Sequence, residues 1–343
     1  MESILVLTHT DETGAALSKP SLESVTAGLA LAAQLKASLS IGIVAADPAF
    51  AANSLASIGA RLLAVSGDAF AQPRYATDAA ACETLCRAAN ATIVVAPGSS
   101  RFARVAAGVA HRLCGFIDTH ITSLNAAEAN IEATRWFYRQ RIEAVLSRDS
   151  RPWFLLLDAG THAPFTGEAS AANVEHISVE LPALRTTVTG LRAPQQGAQT
   201  IRPDAKLLFV AGAGWTKKQP DGQTHVPEAA DLILGFLRNA SASLGSSKSL
   251  VDQGGEGNSV LPFLTHLNQI GQTGATPRHA KGLSTCCHGE EPHVVGWRFI
   301  AERRAISLDP NCGWTRGKTD VVYVADAFQV IRKLNALLES GKG

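Results

Sequence analysis

Two glycines alternate with amide and hydroxyl side chains in Gln269-Ile270-Gly271-Gln272-Thr273-Gly274. Glycines at that spacing let a backbone turn through positive φ and approach a ligand closely, while Gln272 and Thr273 offer donors and acceptors together. That is equipment for holding a flat polar heterocycle. Taken alone, such a hexapeptide is more often a polar surface turn. A second stretch, Ala96-Pro97-Gly98-Ser99-Ser100-Arg101, leaves an apolar strand and enters a helix. A phosphate could be held at that helix N-terminus, but small residues also make a tight strand-to-helix turn, which is the plainer reading. Cys286-Cys287-His288 with His293 raises zinc. Adjacent cysteines seldom both ligate one ion and no C-x-x-C spacing occurs, so buried structural thiols are the better reading. No Ser-His-Asp order, phosphate-loop lysine motif or metalloprotease helix appears in the first half.

The elements that must position these residues follow from pattern. With 343 residues, 46% hydrophobic and 18% charged, the chain has material for two globular domains. A net charge of +1 with interspersed signs excludes a nucleic-acid-binding face. No run of about eighteen apolar residues is present to insert in a membrane. The first strand, Ile4 to Leu7, begins almost at Met1 and leaves no room for a leader, so a cytoplasmic location is expected. Six cysteines without a framework spacing are expected to be reduced.

Strands at Ile4–Leu7, Leu39–Val44, Leu62–Val65 and Thr92–Ala96 alternate with helical patterns, the first helix capped by Ser21 and later ones near Phe50–Ile58 and Asp78–Ala89. Ile131–Tyr138 with Ile142–Leu146 reads as a hairpin and Trp153–Leu157 as a further strand. Arg, Thr, Gly, Pro and Gln dominate between Pro182 and Pro203, which marks a connection. A second α/β unit follows: Lys206–Ala211 running into Gly212-Ala213-Gly214, a helix near Glu228–Ala240, strands before Cys286, at Ala305–Leu308 and at Val321–Val324, and a last helix capped by Asp326. The fold class expected is α/β in two domains, 1–195 and 204–340, each a mostly parallel sheet flanked by helices and the second doubly wound.

These residues carry a resemblance. The second half resembles the flavin-binding domain of the electron transfer flavoprotein alpha subunit, and the first half is similar to that family's N-terminal domain. Gln269 to Gly274 meets the family pattern Q-[IV]-G-Q-[ST]-G in full. Ser247-Lys248-Ser249-Leu250-Val251-Asp252 resembles its S-R-x-x-V-D, and Gly212-Ala213-Gly214 its G-R-G turn. Gly289 and His293 align with the G and H of its G-I-S-G-A-I-Q-H loop, with His288 at the serine. Ile306 and Asp309-Pro310 fall on its I-N-x-D-P, with Ser307 at the asparagine.

The resemblance implies a subunit that pairs with a beta-type electron transfer flavoprotein subunit as a heterodimer and holds one FAD. It would carry electrons from a donor dehydrogenase to a membrane quinone reductase or similar acceptor oxidoreductase. By position, Gln272 and Thr273 would contact the flavin ring and His293 its pyrimidine edge. Ser247 and the loop at Gly289 would approach the ribityl and pyrophosphate, and Asp320 the adenosine end. Departures stand beside these matches: Lys248 for an arginine, Ala213 for the G-R-G arginine, Pro292 for a glutamine, and Glu290 and Glu291 at apolar positions. They open an alternative, a structural or adenine-nucleotide-binding subunit of the same fold with weakened or lost FAD.

Overall fold

The computed structural model describes residues 2–11, 13–127, 130–137, 142–190, 201–202, 205–253, 259–271, 277–285, 300–312 and 319–341. The chain divides into two compact units, Met1–Leu191 and Arg192–Gly343. Each is a sheet flanked by helices.

In the first unit, β1 (Ser3–His9), β2 (Ser38–Ala45), β3 (Arg61–Ser66) and β4 (Ile93–Pro97) are linked by α1 (Lys19–Leu35), α2 (Ala49–Asn53) and α3 (Tyr75–Ala88). Then come α4 (Ser100–Arg112), β5 (Phe116–Ala127), β6 (Asn130–Phe137), β7 (Ile142–Leu146), β8 (Trp153–Leu157) and β9 (Val174–His176). The nine strands lie in the order β7-β6-β5-β8-β4-β1-β2-β3-β9. The β5–β6 and β6–β7 pairs are antiparallel and the others parallel.

Alternation along the strands explains why both faces are covered. Ile4 and Val6 join a core with Val25 and Leu31 of α1 and Ala51 and Ala52 of α2. Leu5 and Leu7, one residue out of phase, join a second core with Leu85 of α3 and Phe102 and Val109 of α4. Each of these valines, leucines, isoleucines and phenylalanines contributes about 1.5–3 kcal/mol by leaving water.

The structure differs from the sequence reading at three places in this unit. Ser18 rather than Ser21 caps α1, its oxygen accepting from the Ser21 N–H. The Ser21 hydroxyl instead donates to the β1 carbonyl of His9 at 3.1 Å. The helical pattern at Phe50–Ile58 breaks into α2 and a separate 3-10 turn, Ala56–Ile58. The long strand β5 and short β9 carry no clear apolar alternation and escaped notice.

The second unit holds β10 (Leu207–Ala211), α5 (Val226–Ala240), β11 (Ser243–Ser246), α6 (Lys248–Asp252), β12 (Lys281–Thr285), β13 (Glu302–Ser307), β14 (Val321–Val324) and α7 (Ala327–Ser340). Its five strands are all parallel in the order β11-β10-β12-β13-β14. Numbered within the unit that is 2-1-3-4-5, a doubly wound order whose direction reverses between β10 and β12. Helices α5 and α7 cover one face through Ile233, Phe236, Phe328 and Ile331 against Phe209, Ala211 and Ile306. Asp326 caps α7, accepting from the Gln329 N–H at 3.0 Å.

Candidate functional site

In a doubly wound sheet the loops at the carboxyl ends of the strands, beside the reversal point, form the crevice that takes a ligand. The described part of the second unit places four of the expected segments there. Gly212 follows β10, and its N–H donates to the carbonyl of Thr285 at the end of β12 at 3.0 Å, closing the reversal point with backbone. Ala213 to Thr216 then form a 3-10 turn. Gly214 is buried, and its carbonyl accepts from Gln219 Nε2 at 3.1 Å. Trp215 fills the space beneath, its Nε1 donating to Thr285 Oγ1 at 2.8 Å and its ring 4.6 Å from that of Phe328. Ala213 itself is fully buried, so the turn brings no cation to the edge.

Ser247 follows β11, with its N–H donating to Ala211 O at 2.9 Å and its hydroxyl accepting from the Leu250 N–H at 3.2 Å as the cap of α6. Lys248 is partly exposed, and its ammonium is paired with Asp252 one turn along α6. Asp252 also lies 3.7 Å from His266 Nε2. Lys248 is thus a compensated charge, not a lone cation.

The glycine loop reaches the same edge. Gln269 forms a parallel bridge with Ser246, the last residue of β11, and the Ile270 N–H donates to Ser246 O at 3.1 Å. Ile270 anchors the loop by packing on Leu208 and Val210 from the face opposite α5 and α7. Gly271 has φ of 115°, a backbone state that side-chain-bearing residues rarely adopt, so glycine is required here. Gln272, Thr273 and Gly274 lie outside the described residues, as do His288, Gly289, Glu290, Glu291, Pro292 and His293.

Ser307 ends β13, and its hydroxyl exchanges hydrogen bonds with the backbone of Asp309 at 3.2 Å. Asp309 is exposed, and its carboxylate accepts from the Asn311 N–H at 2.8 Å. Asp320 stands elsewhere. It precedes β14 and grips Arg303 near the start of β13, accepting from its N–H at 2.7 Å and its Nη2 at 3.1 Å. Those hydrogen bonds hold its carboxyl below the usual range. The amino end of the sheet is therefore where Asp320 lies, a strand length from Ser247 and Ser307.

In the first unit the phosphate alternative at Ala96–Arg101 meets a structural use of Arg101. The guanidinium is buried against Asp78 at 2.7 Å and the Phe70 carbonyl at 2.8 Å. What sequence reasoning missed is the meeting of His9, the last residue of β1, with Ser99, which follows β4, a contact that only the sheet order makes possible.

A two-unit α/β chain with a doubly wound parallel sheet and a glycine loop at its carboxyl edge has the architecture in which such an edge can take a nucleotide or cofactor. The model of the electron transfer flavoprotein domain matches residues 6–183, more than half of the chain. The chain belongs to the electron transfer flavoprotein family. That match lies within the first unit, so the Gln269 loop falls beyond it. No curated protein matches the chain. Among the described residues no helix is long and apolar enough to cross a membrane.

Proposed function

We propose that the chain is an alpha-type electron transfer flavoprotein subunit. In this reading it pairs with a beta-type subunit as a heterodimer in the cytoplasm and holds FAD at the carboxyl edge of the second unit. It would relay electrons from a donor dehydrogenase to a quinone reductase or similar acceptor. The observation that carries the proposal is the gathering of Gly212, Ser247, Gln269 to Gly271, and Ser307 to Asp309 at one edge of a 2-1-3-4-5 sheet. The donor set fits a flavin nucleotide in its glycine backbone at Gly271 and the partly exposed ammonium of Lys248. Bound there, FAD would supply one- and two-electron redox chemistry that no side chain possesses. The chain's own part is to orient the group, exclude water and set the local charge.

A second reading, the same fold with weakened or lost FAD, draws on two observations. The position of the family arginine is a fully buried Ala213, and the Lys248 charge is compensated by Asp252. The visible absorption spectrum of the chain co-purified with its beta-type partner decides between them. A flavin spectrum with about one FAD per heterodimer is expected. A colourless, well-folded complex that stays colourless in excess FAD would overturn the first reading.

A further inference from the structure

The carboxyl edge of the first unit's sheet holds a second constellation, independent of the flavin reading. β1 and β4 pair in parallel, Ile4 with Ile93 through Val6 with Val95, so the residues that follow the two strands converge. His9 Nε2 lies 2.8 Å from Ser99 Oγ, and His9 Nδ1 lies 2.7 Å from the Thr10 carbonyl oxygen. A carbonyl only accepts, so Nδ1 carries the proton and Nε2 offers its lone pair to the Ser99 hydroxyl. The Phe102 ring meets the imidazole edge-on with centroids 5.2 Å apart and fixes its plane. Burial and the nearby Arg101 charge hold His9 below the ordinary imidazole range, so the ring is neutral at pH 7.

Ser99 is displayed by a strand–turn–helix. β4 ends at Pro97, Gly98 makes the turn, and Ser99 is the first-turn boundary of α4. A Cβ at Gly98 would lie 2.8 Å from the Leu157 carbonyl oxygen, so the turn closes this tightly only with glycine. The Ser99 hydroxyl does not cap its own helix. The N–H groups of Ser100, Arg101 and Phe102 therefore find no acceptor among the described residues, and they point along the helix axis toward the turn. Gly98 and Ser100 are exposed and Ser99 is partly so, which brings the turn that carries the hydroxyl to the solvent.

We propose that Ser99 is a nucleophile activated by His9, and that this pair accepts acyl groups from small activated esters. Ser99 Oγ forms a bond to the acyl carbon while its proton passes to His9 Nε2. The oxygen of the former carbonyl gains negative charge facing the free N–H of Ser100, the residue after the nucleophile. The ester C–O bond breaks and the alcohol departs with the proton from Nε2. Water then attacks the acyl-serine, giving its proton to His9 Nε2; the bond from the acyl carbon to Ser99 Oγ breaks and Nε2 returns the proton to Oγ, which releases the carboxylic acid and restores Ser99.

The test uses the full chain with p-nitrophenyl acetate and, separately, a fluorophosphonate probe. Expected are a burst of p-nitrophenolate approaching one equivalent per chain and a phosphonylated peptide mapping to Ser99. Ser99→Ala should abolish both, and His9→Gln should slow labelling by about 100-fold or more. Mapping on the unsubstituted protein needs no variant to fold. Absence of labelling there, labelling at another residue, or a burst unchanged in a folded Ser99→Ala chain would each overturn the proposal. Labelling equal in flavin-loaded and flavin-free protein is expected, which separates this result from the fate of the FAD reading.

Discussion

Arg101 lies beside a helix start that could hold a phosphate, but its charge is paired inside the fold. Its Nε and Nη2 both donate to Asp78 Oδ1, at 3.1 and 2.7 Å, and both side chains are removed from water. Burial raises the Asp78 carboxyl even with Arg101 alongside. Replacing the cation alone, Arg101→Met, leaves an uncompensated buried acid and should cost about 3–5 kcal/mol in urea unfolding. The double variant with Asp78→Leu should regain most of it. A single variant as stable as the parent would show that the pair is not coupled. Lys248 has the opposite character, partly solvated and paired with Asp252. A unit charge about 7 Å from a flavin at an effective dielectric near 80 is worth about 0.6 kcal/mol, or about 25 mV for a one-electron couple. Lys248→Ala should lower the bound flavin's potential by roughly that amount, and Asp252→Asn should raise it. Potentials unmoved in both variants would remove α6 from the cofactor site. At this scale the sequence shows what is local: Gly271 is legible because a glycine pattern announces positive φ. The pairing of His9 with Ser99 is invisible, since ninety positions separate them and only the adjacency of β1 and β4 joins them.

Helix α1 lies on β1 at a separation set by Gly28. A Cβ there would fall 2.3 Å from Val6 Cγ2, a fully buried branched side chain with no room to move. Alanine would gain up to about 1 kcal/mol of helix propensity but force overpacking worth about 1–3 kcal/mol. Gly28→Ala is therefore expected to lower the melting temperature; a rise would mean that α1 shifts freely on the sheet. The β5–β6 hairpin is tied down at Asp118, which accepts from Arg148 Nε at 2.6 Å and from Trp153 Nε1 of β8 at 2.9 Å. Burial alone would raise its carboxyl, but these bonds and the Arg148 and Arg135 charges outweigh burial and hold it below the usual range. A depressed folded pKa stabilises above the unfolded value, and that share disappears as pH falls through the folded one. Loss is thus expected below about pH 4. Asp118→Asn should be less stable at pH 7 and show a flatter decline between about pH 4 and 2; an unchanged acid profile would show the carboxylate contributes nothing. β8 is legible because it is central and apolar on both faces, and it spans the expected Trp153–Leu157. β14 spans the expected Val321–Val324 although it is an exposed edge strand, because its four residues are all β-branched or aromatic. β5 is not legible: it carries Asp118, Thr119 and His120 mid-strand, with a register shift between Asp118 and Ile121 and φ of 60° at His120. β11, Ser-Leu-Gly-Ser, has no β-branched residue and forms only because β10 pairs with it.

At the scale of the whole molecule, the question is what covers the first unit's open edge. Among the described residues β7 has a partner on one side only, and an edge strand presents unpaired backbone groups. Proteins usually blunt such edges with charge, yet Ile142 and Val145 on β7 are 52% and 61% exposed, and Phe137 on β6, paired with Ile142, is exposed beside it. A net charge of +1 over the chain supplies little repulsion against self-association. On the proposed function, a beta-type partner is expected to shield this edge. Co-expression with that partner should give a one-to-one complex by light scattering, whereas the chain alone should self-associate with concentration. Val145→Lys places a cation on the edge without touching a buried side chain. It should weaken the complex by about tenfold or more, as one lost apolar contact plus a desolvated charge requires, while leaving the melting temperature of the isolated chain within about 2 °C. A complex of undiminished affinity in Val145→Lys would place the partner on another face, and a chain that stays monomeric alone at high concentration would remove the argument from the exposed edge altogether.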